Sequence, residues 1–110
     1  MRYDDRLYVT VTTEGGYDEN LDPIEPSEEE VLFGKCFIGF NDKAESVTLH
    51  DGKEYIYRYM IIASLTKQNY PLIPKEGAQI RFVKKDGTID KTMTVQGFVT
   101  LKERYLKIWV

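Results

Sequence analysis

The chain contains one histidine, His50, and one cysteine, Cys36, and each scarcity removes a class of chemistry. A Ser/His/Asp or Cys/His mechanism would have to use His50, which stands beside Asp51-Gly52 and reads as an exposed turn residue. Zinc sites need several Cys or His ligands, and one of each is too few. A lone cysteine cannot form an internal disulfide. Cys36 alternates with Ile38 and Phe40, the pattern of a buried core thiol. Glycine-rich phosphate loops are absent too: Gly15-Gly16 leads into an acidic stretch that would repel phosphate. These absences leave no catalytic residues, no cofactor site and no metal site to expect, so the chain reads as a non-enzyme.

Long apolar runs are also missing. No stretch approaches the roughly 18 apolar residues of a membrane-spanning helix. The opening MRYDDRLYV lacks the basic and then apolar regions of a secretory signal, so synthesis and retention in a cytoplasm are expected. There is no basic excess either: 15 Lys and Arg stand against 18 Asp and Glu.

What is present favours one small β domain over residues 1–110. The length allows a single modest core, and the eight Tyr and five Phe suit strands. Residues 6–13 alternate strictly, with Leu7, Val9 and Val11 on one face. Residues 31–40 change phase at Gly34, as a β-bulge would require to keep Val31, Phe33, Cys36, Ile38 and Phe40 on the core side. A single helical turn capped by Asn41 or Asp42 is expected over 41–45. Residues 54–65 are the longest β-favouring run, with Tyr55, Tyr57 and Tyr59 sharing one face, as core or as a subunit contact.

The last third predicts a three-stranded meander. Asp86-Gly87 is a strong two-residue type I′ hairpin signal, which sets Lys85 opposite Thr88, Ile80 opposite Met93 and Phe82 opposite Lys91. A turn around residues 101–104 is expected to pair Thr100 with Tyr105 and Val99 with Leu106. The sum is an all-β fold, a small antiparallel barrel or sandwich of about six strands.

Residues 14–30 stand apart. They are rich in Gly, Pro, Asp and Glu and read as a long, mobile, acidic loop, which in a compact domain is usually functional or disordered. Asp18, Asn20, Asp22 and Glu29 fall at calcium-loop spacing, but Pro23 takes the place of the glycine such a loop needs, so a solvated acidic loop is the better reading.

Three stretches carry a family resemblance: Arg2 to Val11, RYDDRLYVTV, followed by Gly16-Tyr17-Asp18; the strand Lys35-Cys36-Phe37-Ile38; and the ending Val95-Gln96-Gly97-Phe98 with Arg104 to Val110. In this order of features the chain resembles the head–tail joining (connector, head-completion or minor capsid) proteins of tailed bacteriophages. The resemblance implies a structural virion protein in the neck of a phage or prophage particle, assembled in the bacterial host cytoplasm, which closes the DNA-filled capsid and docks the tail. It implies portal or adaptor and tail proteins as partners. It also implies a ring homo-oligomer in the particle from a subunit that is monomeric when isolated, DNA passing without sequence-specific binding, and no membrane. Candidate subunit-interface residues are then Tyr17, Asp18, Leu21 and Ile24 in the acidic loop, the row Tyr55, Tyr57 and Tyr59, and Tyr105 and Trp109 on a final strand whose free edge could pair with a neighbour.

The alternative is an OB-like module that binds single-stranded nucleic acid. Tyr55, Tyr57 and Tyr59 around Arg58, with Lys84, Lys85 and Lys91 in the adjoining sheet, are compatible with base stacking. The acidic balance of the whole chain weighs against it.

Overall fold

The structure is a computed structural model that describes residues 3–13, 15–49 and 51–110. His50, expected in a turn, lies outside the described residues. The fold is all-β. Its strands are β1 (Asp5–Thr13), β2 (Gly16–Tyr17), β3 (Pro23–Ile24), β4 (Ser27–Phe40), β5 (Ser46–Thr48), β6 (Glu54–Ile56), β7 (Tyr59–Ser64), β8 (Gln79–Val83), β9 (Asp90–Thr94), β10 (Gly97–Leu101) and β11 (Tyr105–Trp109). One 3-10 turn, Tyr70–Leu72, interrupts the connection to β8.

Seven strands form one curled antiparallel sheet in the order β10-β11-β7-β4-β1-β8-β9. Its two edge strands, β9 and β10, are consecutive in the chain and joined by Val95 and Gln96. The Val95 N–H donates to the Ala78 carbonyl on the β8 side, and the Gln96 N–H donates to the Trp109 carbonyl on the β11 side. One bent segment thus extends the ladder at both ends of the sheet and draws it into a half-barrel.

The concave side holds the core. Leu7, Cys36, Ile61, Ala63, Ile80, Phe82, Leu106, Ile108 and Val110 are fully buried there. The alternation expected of residues 6–13 is realised: Leu7 and Val9 are buried and Val11 packs against them. The bulge at Gly34 is also present. Leu7 pairs with Gly34 but Tyr8 pairs with Leu32, so Phe33 has no partner on β1 and turns into the core. Phe40, at the strand end, escapes burial and is 58% exposed.

Buried polar groups are matched. Asp5 accepts backbone N–H donors from Ile38 (3.3 Å) and Lys85 (3.0 Å), so it pins β1 to β4 and to the turn after β8. Asn69 donates to the carbonyls of Phe33 and Ser64 and accepts from the Thr66 N–H. Burial raises the Cys36 thiol to about 12, helped by the nearby Asp5 charge.

The two hairpins of the last third exchange turn types relative to expectation. The β8–β9 register is as read, with Ile80 opposite Met93 and Phe82 opposite Lys91. Its turn is wider than a two-residue one: Gly87 has φ 78°, Asp86 is not in the left-handed region, and Asp86 instead accepts from the N–H and hydroxyl of Thr88. Left-handed values at two consecutive residues occur at Lys102 and Glu103 (φ 52° and 55°), which join β10 to β11. The β10–β11 register is consequently one residue away from expectation, with Leu101 opposite Tyr105 and Thr100 opposite Leu106. That shift turns Val99 and Leu101 outward and brings Phe98 onto the core side.

Three further expectations are corrected. The run 54–65 breaks at Tyr57-Arg58 into β6 and β7, so Tyr55, Tyr57 and Tyr59 do not share one continuous face. Residues 41–45 form no helix; Ala44 has φ 53°, and the Asn41 side chain clamps the loop by donating to Glu45 O and Tyr57 O and accepting from Glu45 N. The last strand, β11, lies between β10 and β7 and has no free edge.

Candidate interaction site

The acidic segment is built as a ribbon, not as a structureless loop. β1 and β4 remain paired out to Thr13 opposite Ser27, well past the last core side chain of β1. Beyond them β2 and β3 pair as a second short ladder. At the tip, Asp18 accepts from the N–H groups of Asn20 (2.8 Å) and Asp22 (2.9 Å), which closes the turn while Leu21 adopts φ 63°. This extension gives the molecule extents of 56 × 34 × 28 Å and a radius of gyration of 15.8 Å, against about 13 Å for a compact chain of this length.

Every residue from Gly15 to Glu30 is exposed, including apolar ones. Tyr17 is 74% exposed and Leu21 78% exposed. Ile24, also exposed, pairs with Gly16 while Tyr17 pairs with Pro23, so the Tyr17 and Ile24 side chains leave opposite faces of the ribbon. Hydrophobic side chains placed singly on a surface are ordinary, but three gathered on so small an element suit a contact. The ribbon is also strongly negative. Residues 14–30 hold eight of the chain's 18 carboxylates and no Lys or Arg, so the other 93 residues carry 15 cationic side chains against ten acidic ones. At its root the ribbon is braced by Arg81, which pairs with Asp90 through two 2.8 Å bonds and reaches Glu30 at 2.9 Å. The same contacts hold the Asp90 carboxyl below its ordinary value.

The opposite end of the sheet carries a groove. Antiparallel pairing places the end of β4, the start of β7, the end of β8 and the start of β9 together there. A groove of about 710 Å³ opens among Phe40, Ile56, Tyr57, Arg58, Tyr59 and Lys91, with Asn41 and Met93 in its wall. Tyr59 is its centre: its ring lies 5.3 Å from Phe40 and 5.2 Å from Phe82, so it connects the groove to the core. Lys91 sits 5.3 Å over the Tyr59 ring and Lys84 sits 5.6 Å over the Phe40 ring. Arg58 is held by its backbone, which donates to the Val110 carbonyl and accepts from the Asn41 N–H, while its side chain is exposed. Partial burial and the bonded Glu45 carboxylate raise the Tyr57 hydroxyl above its ordinary value.

A second, smaller hollow of about 400 Å³ has Asp4, Arg6, Tyr8, Lys35, Lys84 and Lys85 in its lining. Arg6 and Lys35 are direct cross-strand partners. Two like charges so placed repel one another, an arrangement that favours an anionic partner. Asp42 lines the groove and Asp4 the hollow, with Glu45 bonded to Tyr57 and Asp86 nearby, so the cationic groups outnumber the acidic ones in each lining only modestly.

The residues expected to carry contacts therefore fall in separate places. Tyr17, Asp18, Leu21 and Ile24 are together at the ribbon tip. Tyr57 and Tyr59 are in the groove, whereas Tyr55 is half-buried opposite Val47 in the β5–β6 hairpin. Tyr105 stacks edge-on against Tyr3 at 6.1 Å, and Trp109 lies under Lys107 in the interior of the sheet. Phe40 and Asn41, expected as a core residue and a helix cap, are groove residues instead; the Asn41 side chain, with its three backbone bonds, shapes the rim.

Among the described residues no group of His, Cys, Asp or Glu is arranged to hold a metal, and no helix is long and apolar enough to cross a membrane. Comparison with protein-family models, with curated protein sequences and with solved structures returns no match.

Proposed function

We propose that this chain is a structural subunit of the head–tail joint of a tailed bacteriophage or prophage, contributing to the neck that closes the filled capsid and docks the tail. The observation that supports this reading is the division of the molecule into a well-packed β body and a projecting acidic ribbon with an apolar tip. A joining subunit needs a body that keeps its shape and an arm that reaches a neighbour. A carboxylate-rich arm near a DNA channel offers no cationic sites for counterion-releasing contacts, so DNA would slide past it. Its partners are the portal or adaptor and tail proteins, and its working form is a ring. Immunogold labelling of phage particles induced from the source strain tests this. Label confined to the neck is the expected result; unlabelled particles beside free protein in the lysate would reject it.

A second reading is favoured by the groove, where aromatic rings lie beneath lysines in the manner of a base-stacking site. Fluorescence titration of Trp109 and the tyrosines with an oligothymidylate separates the two. A flat titration at low salt is expected of the joint subunit, and salt-sensitive quenching of the strand binder.

A further inference from the structure

The ribbon and the groove are complementary, and they lie at opposite ends of one molecule. The tip offers Tyr17, Leu21 and Ile24 among Asp18, Glu19, Asp22 and Glu25. The groove offers Phe40 and Ile56, 58% and 60% exposed, beside Arg58, Lys84 and Lys91. We infer that the ribbon tip of one molecule docks into the Phe40–Tyr59–Lys91 groove of a second copy of this chain, head to tail.

Charge supports this choice of occupant. Tip against tip or groove against groove would bring like charges together, whereas tip against groove joins opposite signs and covers both apolar patches. An antiparallel two-fold pair and a head-to-tail series both make this contact, and the head-to-tail series is the one that can build a ring. The ribbon extends from the end of β1 and the start of β4, whereas the groove lies at the start of β1 and the end of β4. Each molecule in a head-to-tail series therefore offers a free groove at one end and a free tip at the other, which yields a ring if the rotation closes. This deepens the joint reading by naming the contact within the ring, but the contact itself stands on charge and shape.

The test traps the contact covalently. One chain carries Leu21→Cys and a second carries Ile56→Cys; both positions are exposed, and Cys36 is buried with its thiol raised to about 12, which keeps it out of the reaction. Mixed and mildly oxidised at low salt, the two chains should form a heterodimer, disulfide-linked through the two introduced thiols, in excess over either homodimer. Adding Arg58→Glu and Lys91→Glu to the Ile56→Cys chain should cut the heterodimer yield by about tenfold or more, and raised salt should do the same. Reversing Glu19 and Asp22 to lysine in the Leu21→Cys chain, which leaves the Asp18 turn intact, should restore it. Homodimers without heterodimer, a yield indifferent to the charge changes, or a wild-type groove that takes up an oligothymidylate and excludes the ribbon would each overturn the inference. Neck labelling with no trapped heterodimer would reject this contact and retain the joint reading; a heterodimer with unlabelled particles would do the reverse.

Discussion

Along β1 the surroundings change from core to solvent within nine residues. Leu7 is fully buried between β4 and β8, yet Thr12, opposite Glu28, is exposed. The body owes its order to burial, since Phe82, Ile61, Leu106 and their neighbours are removed from water together. The ribbon has backbone pairing and an aspartate-closed turn but almost no buried apolar surface. Two parts made from the same strands thus depend on different forces. The body should be sensitive to side-chain volume, and the ribbon should be almost indifferent to it.

Phe82 gives the largest expected effect. It is fully buried and packs against Tyr59 beneath the groove. Phe82→Ala should cost about 3–5 kcal/mol, read from the midpoint of urea unfolding at unchanged slope. Leu21→Ala, a truncation in the ribbon, should fall within about 0.5 kcal/mol of wild type. Similar losses at the two sites would break the distinction.

A gain is expected where the body carries backbone strain. Lys102 and Glu103 both adopt left-handed conformations, each of which costs a residue with a β-carbon about 1 kcal/mol or more. Lys102→Asn with Glu103→Gly installs the pair that suits this turn and should stabilise the protein by about 1–2 kcal/mol in the same unfolding assay. A loss would mean that the strand register, and with it the outward placement of Val99 and Leu101, differs from that described.

That turn also marks how far the fold was legible in the sequence. The alternation of residues 6–13, the bulge at Gly34 and the β8–β9 register follow from local pattern because each is decided by neighbours close in the chain. The β10–β11 register was misread by one residue because Lys102-Glu103 carries none of the Gly or Asn that usually announces such a turn. The ribbon read as a loop because Glu28 to Glu30 have low strand propensity; their strand form depends on pairing with Thr10 to Thr12, some 18 positions away in the chain. The groove was half legible. Tyr57, Tyr59 and Arg58, with Lys91 in the adjoining sheet, were visible as a cluster, but Phe40 joins them only once β4, β7 and β9 converge.

A smaller effect should appear at the ribbon root under acid conditions. Hydrogen bonds from Arg81 hold Asp90 below its ordinary value of 3.8. The stabilisation from this pair is therefore complete above that value and is lost as pH falls through the lowered folded value. Arg81→Met should lower the urea midpoint slightly at neutral pH, and the gap from wild type should close below about pH 4. A gap that persists in acid would assign the effect of Arg81 to its contact over the Tyr8 ring, 5.4 Å away, and not to its ion pairs with Asp90 and Glu30.

The smallest effect on stability is expected from the most drastic edit. Replacing residues 14–26 with Asn-Gly joins Thr13 to Ser27 across an existing strand pair through a two-residue turn of the favoured kind. No buried side chain of the core is touched, so the unfolding midpoint should move by no more than about 0.5 kcal/mol equivalent. Assembly should nonetheless be abolished, because the edit removes Tyr17, Leu21 and Ile24 and five of the ribbon's eight carboxylates. Unfolding of the shortened chain would show that the ribbon is part of the body's structure. A stable chain that still assembles would show that it is an ornament. Only a stable chain that fails to assemble fits a molecule in which burial maintains the shape and the exposed arm makes the contact.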